Sequence, residues 1–310
     1  MTNTIKDIKS KNKIKKIYKE YGNGLLVITP LIGFLIFGLI PLILSIFMSF
    51  YEIRGYSLDI KNDWSPVGFD NYLYIFKDEA FFKAIRTTFI YALAIPANII
   101  LSLLIAFLLS KGLKGSKIFR AIYFLPYVCS VVAITYMWQW LFNTQYGVIN
   151  EILGLTGENA IDWLGNENTF YFVIIIMNIW GGTGFGIILY SASLTNVNKT
   201  LLEQAKIDGA NSIQRFKNII LPSISPTTFY LFTISLIGSL QAFAASNIMA
   251  DGTTGPNDAA VTAVYYIYRN IFSYVNTVGR AAAASWVLSI IIFVVILLNF
   301  IASKFWVSYD

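Results

Sequence analysis

Two sets of uncharged polar residues lie inside otherwise apolar stretches. Asn178, Gly182 and Phe185 fall at i, i+4 and i+7, which puts them on one face of a helix. Ser235, Ser239 and Ala242 repeat that spacing, with Gly238 and Gln241 beside them. Amides and hydroxyls at membrane depth are neutral donors and acceptors, and such groups mostly face a bundle interior or a water-filled path. With the aromatic faces of Trp180 and Tyr190 nearby in the chain, they suit a polyhydroxyl solute better than an ion. The competing use of Ser, Asn and Gln in a membrane is hydrogen bonding between helices.

Several other chemistries are excluded. The chain has no histidine and one cysteine, Cys129. Ser-His-Asp and Cys-His catalysis, an internal disulfide and a cysteine metal cage are therefore impossible. No Walker A spacing occurs. Gly112-Leu113-Lys114-Gly115-Ser116-Lys117 is basic and Gly-containing but spaced wrongly to cradle phosphates. Gly181 to Gly186 mimics a dinucleotide fingerprint but sits inside an apolar run, not after a strand. Glycines there serve close helix approach or local unwinding around a ligand. Nothing resembles the paired Asp or Ser–Lys dyad of an intramembrane enzyme.

The elements that hold these residues are membrane spans. The 310 residues are 56% hydrophobic and 13% charged, too apolar for a soluble domain of this length. A span needs about 20 apolar residues, and six segments qualify: 24–50, 82–109, 118–142, 170–193, 222–245 and 281–305. No alternating strand pattern is present, so the expected fold is an all-α membrane protein of six transmembrane helices. Pro30, Pro41, Pro96 and Pro126 are expected to bend the first three spans. Residues 1–23 form a basic segment, with Ile14, Ile17, Tyr18 and Tyr21 on one helical face, as in an interfacial helix. Residues 24–310 form the transmembrane domain.

The net charge of +6 is not spread like a nucleic-acid footprint. Seven lysines lie between Lys6 and Lys19, and Lys111, Lys114, Lys117 and Arg120 follow in the second basic loop. The loop 143–169 carries Glu151, Glu158, Asp162 and Glu167 with no base. The positive-inside rule then places both termini in the cytoplasm of a cell membrane. The loop around Glu203 falls on the same side, with Lys199, Lys206, Arg215 and Lys217 against two acids.

That loop reads as helix, turn, helix. Leu202, Ala205 and Ile207 recur at helical spacing, Gly209 supplies the turn, and Ile213, Phe216, Ile219 and Ile220 share a second face. Pro222 is expected as an early residue of the next span. An ordinary connection needs no apolar face. A loop that docks on another protein does.

The order Glu203, Ala205, Gly209 and Ile219-Ile220-Leu221-Pro222 resembles the EAA loop of binding-protein-dependent ABC importer permeases. The resemblance runs from the first span to the C-terminus and is nearest the carbohydrate-uptake branch, similar to the maltose transporter's membrane subunits. Gly68-Phe69-Asp70-Asn71-Tyr72, Gly255-Pro256 and Tyr266-Ile267-Tyr268 also match that pattern. Three departures stand out: Gln204 replaces an alanine, Thr253 and Thr254 are extra, and Ala244 follows Phe243 where relatives carry Asp.

The resemblance implies a transport subunit without its own ATPase site and with no bound cofactor, ATP and Mg being used by a partner. It implies two copies of a cytoplasmic ATP-binding subunit, a second permease that is a different chain, and an extracellular solute-binding protein. Glu203, Ala205, Asp208, Gly209, Ile219, Leu221 and Pro222 would couple to the ATPase. Asn178, Gly182, Phe185, Ser235, Gly238 and Ser239 would line the path for a sugar or oligosaccharide, and Gln241 joins them as the polar neighbour of the second stripe. The rival class is a self-sufficient carrier or channel, which should show an inverted repeat. Trp138 and Trp140 read as an interfacial anchor, with sugar stacking as the alternative.

Overall fold

The computed structural model describes residues 28–308 apart from 56–58, 113 and 275. The expected basic segment 1–23 and the start of the first span lie outside the described residues. The described chain is mainly helical. In order come α1 (Ile28–Ser49), α2 (Glu79–Ser110), α3 (Ser116–Val128), α4 (Val131–Leu141) and α5 (Glu167–Thr195). Then follow α6 (Lys199–Ile207), α7 (Ser212–Ser223), α8 (Ser225–Leu240), α9 (Ala244–Met249), α10 (Ala263–Phe272) and α11 (Val278–Ser303). Four of these, α1, α2, α5 and α11, are each long and apolar enough to cross a membrane. The count reaches six if the bent pairs α3–α4 and α7–α8 are each one crossing.

The bend in the span expected at 118–142 is the one expected from Pro126, whereas the bend in the span expected at 222–245 was not foreseen. Helix α4 turns 97° from α3. Pro126 lies inside α3 and offers no N–H, and the backbone turns extended at Cys129 (ψ 152). The 61° turn between α7 and α8 has a local cause. Pro226 has no N–H to give the carbonyl of Pro222, four residues earlier. The hydroxyl of Ser225 donates to that carbonyl instead, at 2.7 Å. Pro222 itself lies inside the continuous helix α7, so the break falls at Ile224 and not before Pro222. Helix α8 ends at Leu240 rather than 245, and the carbonyl of Ala242 accepts from Thr262 Oγ1 at 2.6 Å.

Two prolines are absorbed without a break. A wide π turn spans Leu35–Leu39, where the Ile40 N–H donates to the Leu35 carbonyl. Another spans Phe216–Ile220, where the Leu221 N–H donates to the Phe216 carbonyl. Each closes on the residue just before a proline, Pro41 or Pro222. The widened turn draws the carbonyl four residues back away from the pyrrolidine ring.

The bundle is built around α5. It packs along the C-terminal half of α2 and along α3, while α11 packs on α1 and α10. Ala281, Ala282, Ala283 and Ala284 are all buried, as close helix packing requires. The loop after α1 is folded, not merely solvent-facing. A hairpin pairs Tyr51–Ile53 with Trp64–Pro66. Asn71 Nδ2 donates to the carbonyls of Ser49 (2.9 Å) and Tyr51 (3.0 Å), and the Tyr72 hydroxyl meets Ser49 Oγ at 2.7 Å. Through these bonds the Gly68–Tyr72 motif ties the cap to the end of α1.

Candidate functional site

Helices α2, α5 and α8, with Ala242 just past the end of α8, line a partly open cavity of about 200 Å³. Five of the seven expected path residues line it: Asn178 and Gly182 from α5, and Ser235, Gly238 and Ser239 from α8. Helix α2 contributes Tyr91, Ala94, Ile95 and Asn98, none of which the sequence reading singled out. Tyr91, Ile95 and Asn98 stand at i, i+4 and i+7, so the same spacing rule would have found them.

The wall is set by close contacts. Ser102 Oγ donates to the Thr183 carbonyl at 3.1 Å, and Asn98 Nδ2 to the Ile179 carbonyl at 2.9 Å, so α2 is bonded to α5 at two levels. The glycines of the 181–186 run serve approach, and α5 stays helical through them. A Cβ at Gly184 would sit 2.0 Å from the Tyr123 carbonyl oxygen of α3, and one at Gly186 would sit 2.4 Å from Ser102 Oγ.

The lining carries no carboxylate, ammonium or guanidinium group. Among the described residues the side chains of Asn178 and Ser235 make no hydrogen bond, and Ser239 Oγ is buried without a partner. A buried hydroxyl left unpaired is costly, so the cavity presents unused neutral donors and acceptors.

Two expected path residues are elsewhere. The Phe185 ring stacks on Tyr127 of α3, with centroids 4.8 Å apart and planes 11° from parallel. Gln241 is exposed beyond the end of α8. The tryptophans also divide. Trp138 is buried against Phe142 and Trp180 (centroids 5.5 and 5.9 Å), so it is a packing residue, whereas Trp140 is exposed.

The Glu203 loop forms the expected helix, turn, helix. Asn198 caps α6 by accepting from Thr200 N at 2.9 Å. Gly209 then turns the chain with φ +82, and Ala210 N donates back to the Ala205 carbonyl at 2.8 Å. Asn211 and Gln214 close a reciprocal capping box on α7, at 2.7 and 2.8 Å. Both caps were legible as Asn before a helical run but were not picked out.

The apolar face of this loop is split between two uses. Leu202, Ile219 and Ile220 pack on the protein's own core of Ile187, Tyr190 and Ile224. Phe216 meets Phe107 of α2 edge-on at 5.2 Å. The barest apolar residues flank the turn: Ile207 is 85% exposed and Ile213 is 77% exposed, with Leu201 of α6 also exposed. Glu203, Asp208 and Gly209 are exposed beside them, Ala205 and Pro222 are half-buried, and Leu221 is at the edge.

A profile described as the binding-protein-dependent transport system inner membrane component matches residues 80–306. The chain belongs to that family. Among its relatives the permease is 33% identical over 303 residues to the probable ABC transporter permease protein YesP of Bacillus subtilis (strain 168), which covers 96% of each chain. It is 32% identical to the lactose transport system permease protein LacF of Rhizobium radiobacter, over 95% of this chain and 98% of the other.

Solved structures agree with the fold. The permease matches a chain from a bacterial ABC transporter involved in the import of the acidic polysaccharide alginate, with a TM-score of 0.72 and 26% identity over 94% of this chain and 98% of that one. A chain of a bacterial alginate ABC transporter in complex with a pentasaccharide-bound periplasmic protein gives a TM-score of 0.77 and 25% identity, over 92% and 94%. The permease is thus a multi-pass membrane protein of an importer family.

Proposed function

We propose that the permease forms the translocation path of an ATP-driven importer for a neutral sugar or oligosaccharide delivered by an extracellular binding protein. The observation that carries this is the uncharged, hydrogen-bonding cavity between α2, α5 and α8. Relatives named for lactose and arabinooligosaccharide transport support the cargo class. The acidic cargo of the alginate transporter would need a base, and none lines this cavity.

Six crossings, with the α3–α4 and α7–α8 pairs each counted once, put both termini and the Glu203 loop on one side of the membrane, and their excess of lysine and arginine assigns that side to the cytoplasm. There Ile207 and Ile213 enter a groove of one of two ATP-binding subunits, with Glu203, Asp208 and Gly209 fixing the contact. Leu202, Ile219 and Ile220 root the loop in the bundle, so movement of the ATPase pair is passed directly to α5 and α8. ATP and Mg belong to those subunits, and this chain brings no cofactor. A second, different permease chain completes the path.

The test is reconstitution. The complex, purified with its partners in proteoliposomes, should take up a neutral oligosaccharide only with ATP and the binding protein. Uptake by this chain alone, without an ATPase, would make it a self-sufficient carrier and overturn the reading.

A further inference from the structure

A second cavity, of about 490 Å³, lies between the end of α2 and the helices of the Glu203 loop. Its walls are apolar: Leu103, Leu104 and Phe107 of α2, Leu202 of α6, and Phe216 and Ile220 of α7. Ser212, Ile213, Lys111 and Arg215 complete the lining, Ile213 with most of its side chain still open to the outside. The Lys111 ammonium lies 5.1 Å from the centre of the Phe107 ring. Arg215 makes one weak bond, Nη2 to Ser212 Oγ at 3.3 Å, and its Nε is buried without a partner. Neither base meets a carboxylate. Among the described residues the one salt bridge is Lys83–Asp258, at 3.2 Å.

The apolar wall does not end at the cavity. Ile100, Leu101, Leu104 and Leu108 are all more than 40% exposed along α2. Leu104 belongs to both the slot and this face, and Ile100 to Leu108 cover about two turns of a helix long and apolar enough to cross a membrane, so the face runs toward what would be hydrocarbon depth. A cytoplasmic protein does not reach that depth, whereas an acyl chain does. Two uncompensated bases at the end of an acyl slot fit a negatively charged headgroup.

We propose that this cavity binds an anionic phospholipid, with one acyl chain against Leu104 and Phe107 and the headgroup phosphate between Lys111 and Arg215. The lipid then joins the end of α2 to α7, and the position of the coupling loop depends on the charge of the leaflet around it. The proposal rests on placing the Glu203 loop at the inner leaflet, but its test needs no transported cargo, so an error in the cargo assignment leaves it standing.

The experiment uses the assembled, delipidated complex in native mass spectrometry, with dioleoylphosphatidylglycerol, dioleoylphosphatidylcholine or free glycerol phosphate as probes. Phosphatidylglycerol adducts should persist in preference to phosphatidylcholine. Lys111→Gln with Arg215→Gln should reduce that preference about thirtyfold, at about fivefold per base. Leu104→Trp, which keeps both bases and fills the slot, should reduce phosphatidylglycerol retention as well. Size-exclusion profiles of the variants establish that the complex is still assembled, and a variant that fails to assemble is replaced by Lys111→Gln alone. The same phosphatidylglycerol preference in wild type and variants would overturn the proposal. So would retention of glycerol phosphate equal to that of the lipid, which would mean a soluble phosphate site. Loss of the ATPase subunit with lipid retention unchanged would assign the slot to the ATPase and also overturn it.

Discussion

The carboxamide of Asn98 occupies the space that a side chain at residue 182 would need. A Cβ on Gly182 would lie 2.6 Å from Asn98 Nδ2, the nitrogen that donates to the Ile179 carbonyl. One absent side chain on α5 therefore permits one cross-helix bond from α2, and both residues face the cavity.

Gly182→Ala should displace the Asn98 amide and cost about 1 kcal/mol, the net worth of a hydrogen bond. The amide is the far end of a flexible side chain, so it can move and the bundle should still assemble. Uptake in proteoliposomes should fall several-fold with complex yield unchanged. Asn98→Leu should act in the same direction. Unaltered uptake in both variants would show that this contact does not shape the path.

Gly184→Ala tests the opposite case. The new Cβ would meet the Tyr123 carbonyl oxygen at 2.0 Å and the Phe124 Cα at 2.8 Å. Backbone cannot swing aside, so α3 has to move away from α5. The expected cost is about 3 kcal/mol, the upper range for overpacking, read as a lower Tm of the purified complex. A Tm equal to wild type would mean that α3 is loosely held.

Gly209→Pro should uncouple ATP hydrolysis from uptake, because φ +82 at Gly209 is closed to a proline ring fixed near −65°. Glu203→Lys should do the same through charge. Ile207→Asp and Ile213→Asp remove the two bare apolar contacts of the turn and should lower retention of the ATPase about tenfold or more, given the worth of one buried isoleucine. Spans that melt as in wild type would locate the defect in docking. Full uptake in all four variants would sink the docking role.

Asn178→Ala should weaken cargo affinity about fivefold, since it removes one neutral hydrogen-bond partner from the wall. Affinity in the unaltered permease should be flat from about pH 5.5 to pH 8, because no carboxylate or amine lines the cavity and the chain has no histidine. A sigmoidal pH profile for cargo binding would point to a titrating group that the cavity wall does not contain.

Helical spacing made the α5 and α8 stripes legible before any coordinates. It fails where depth along the axis matters. Phe185 shares an angular position with Asn178 but lies about 10 Å further along the helix, where Tyr127 of α3 covers it. Gln241 failed because α8 stops at Leu240, and a period has no meaning past a helix end. The folding of spans three and five was half legible. Pro126 reads as a bend but Pro226 was not singled out, and the angle in each case depends on what replaces the missing N–H, as Ser225 does for the Pro222 carbonyl. The two uses of the loop's apolar face were not legible at all. Ile207 and Ile219 are equally greasy in sequence, and only packing separates the bare one from the rooted one.

The right-angled corner between α3 and α4 has a practical side. Cys129 sits at its apex, is exposed, and is the sole thiol of the chain. A fluorophore or spin label can be attached there without engineering any residue, one probe per polypeptide. Its signal would report whether that elbow opens or stays rigid while the transporter turns over.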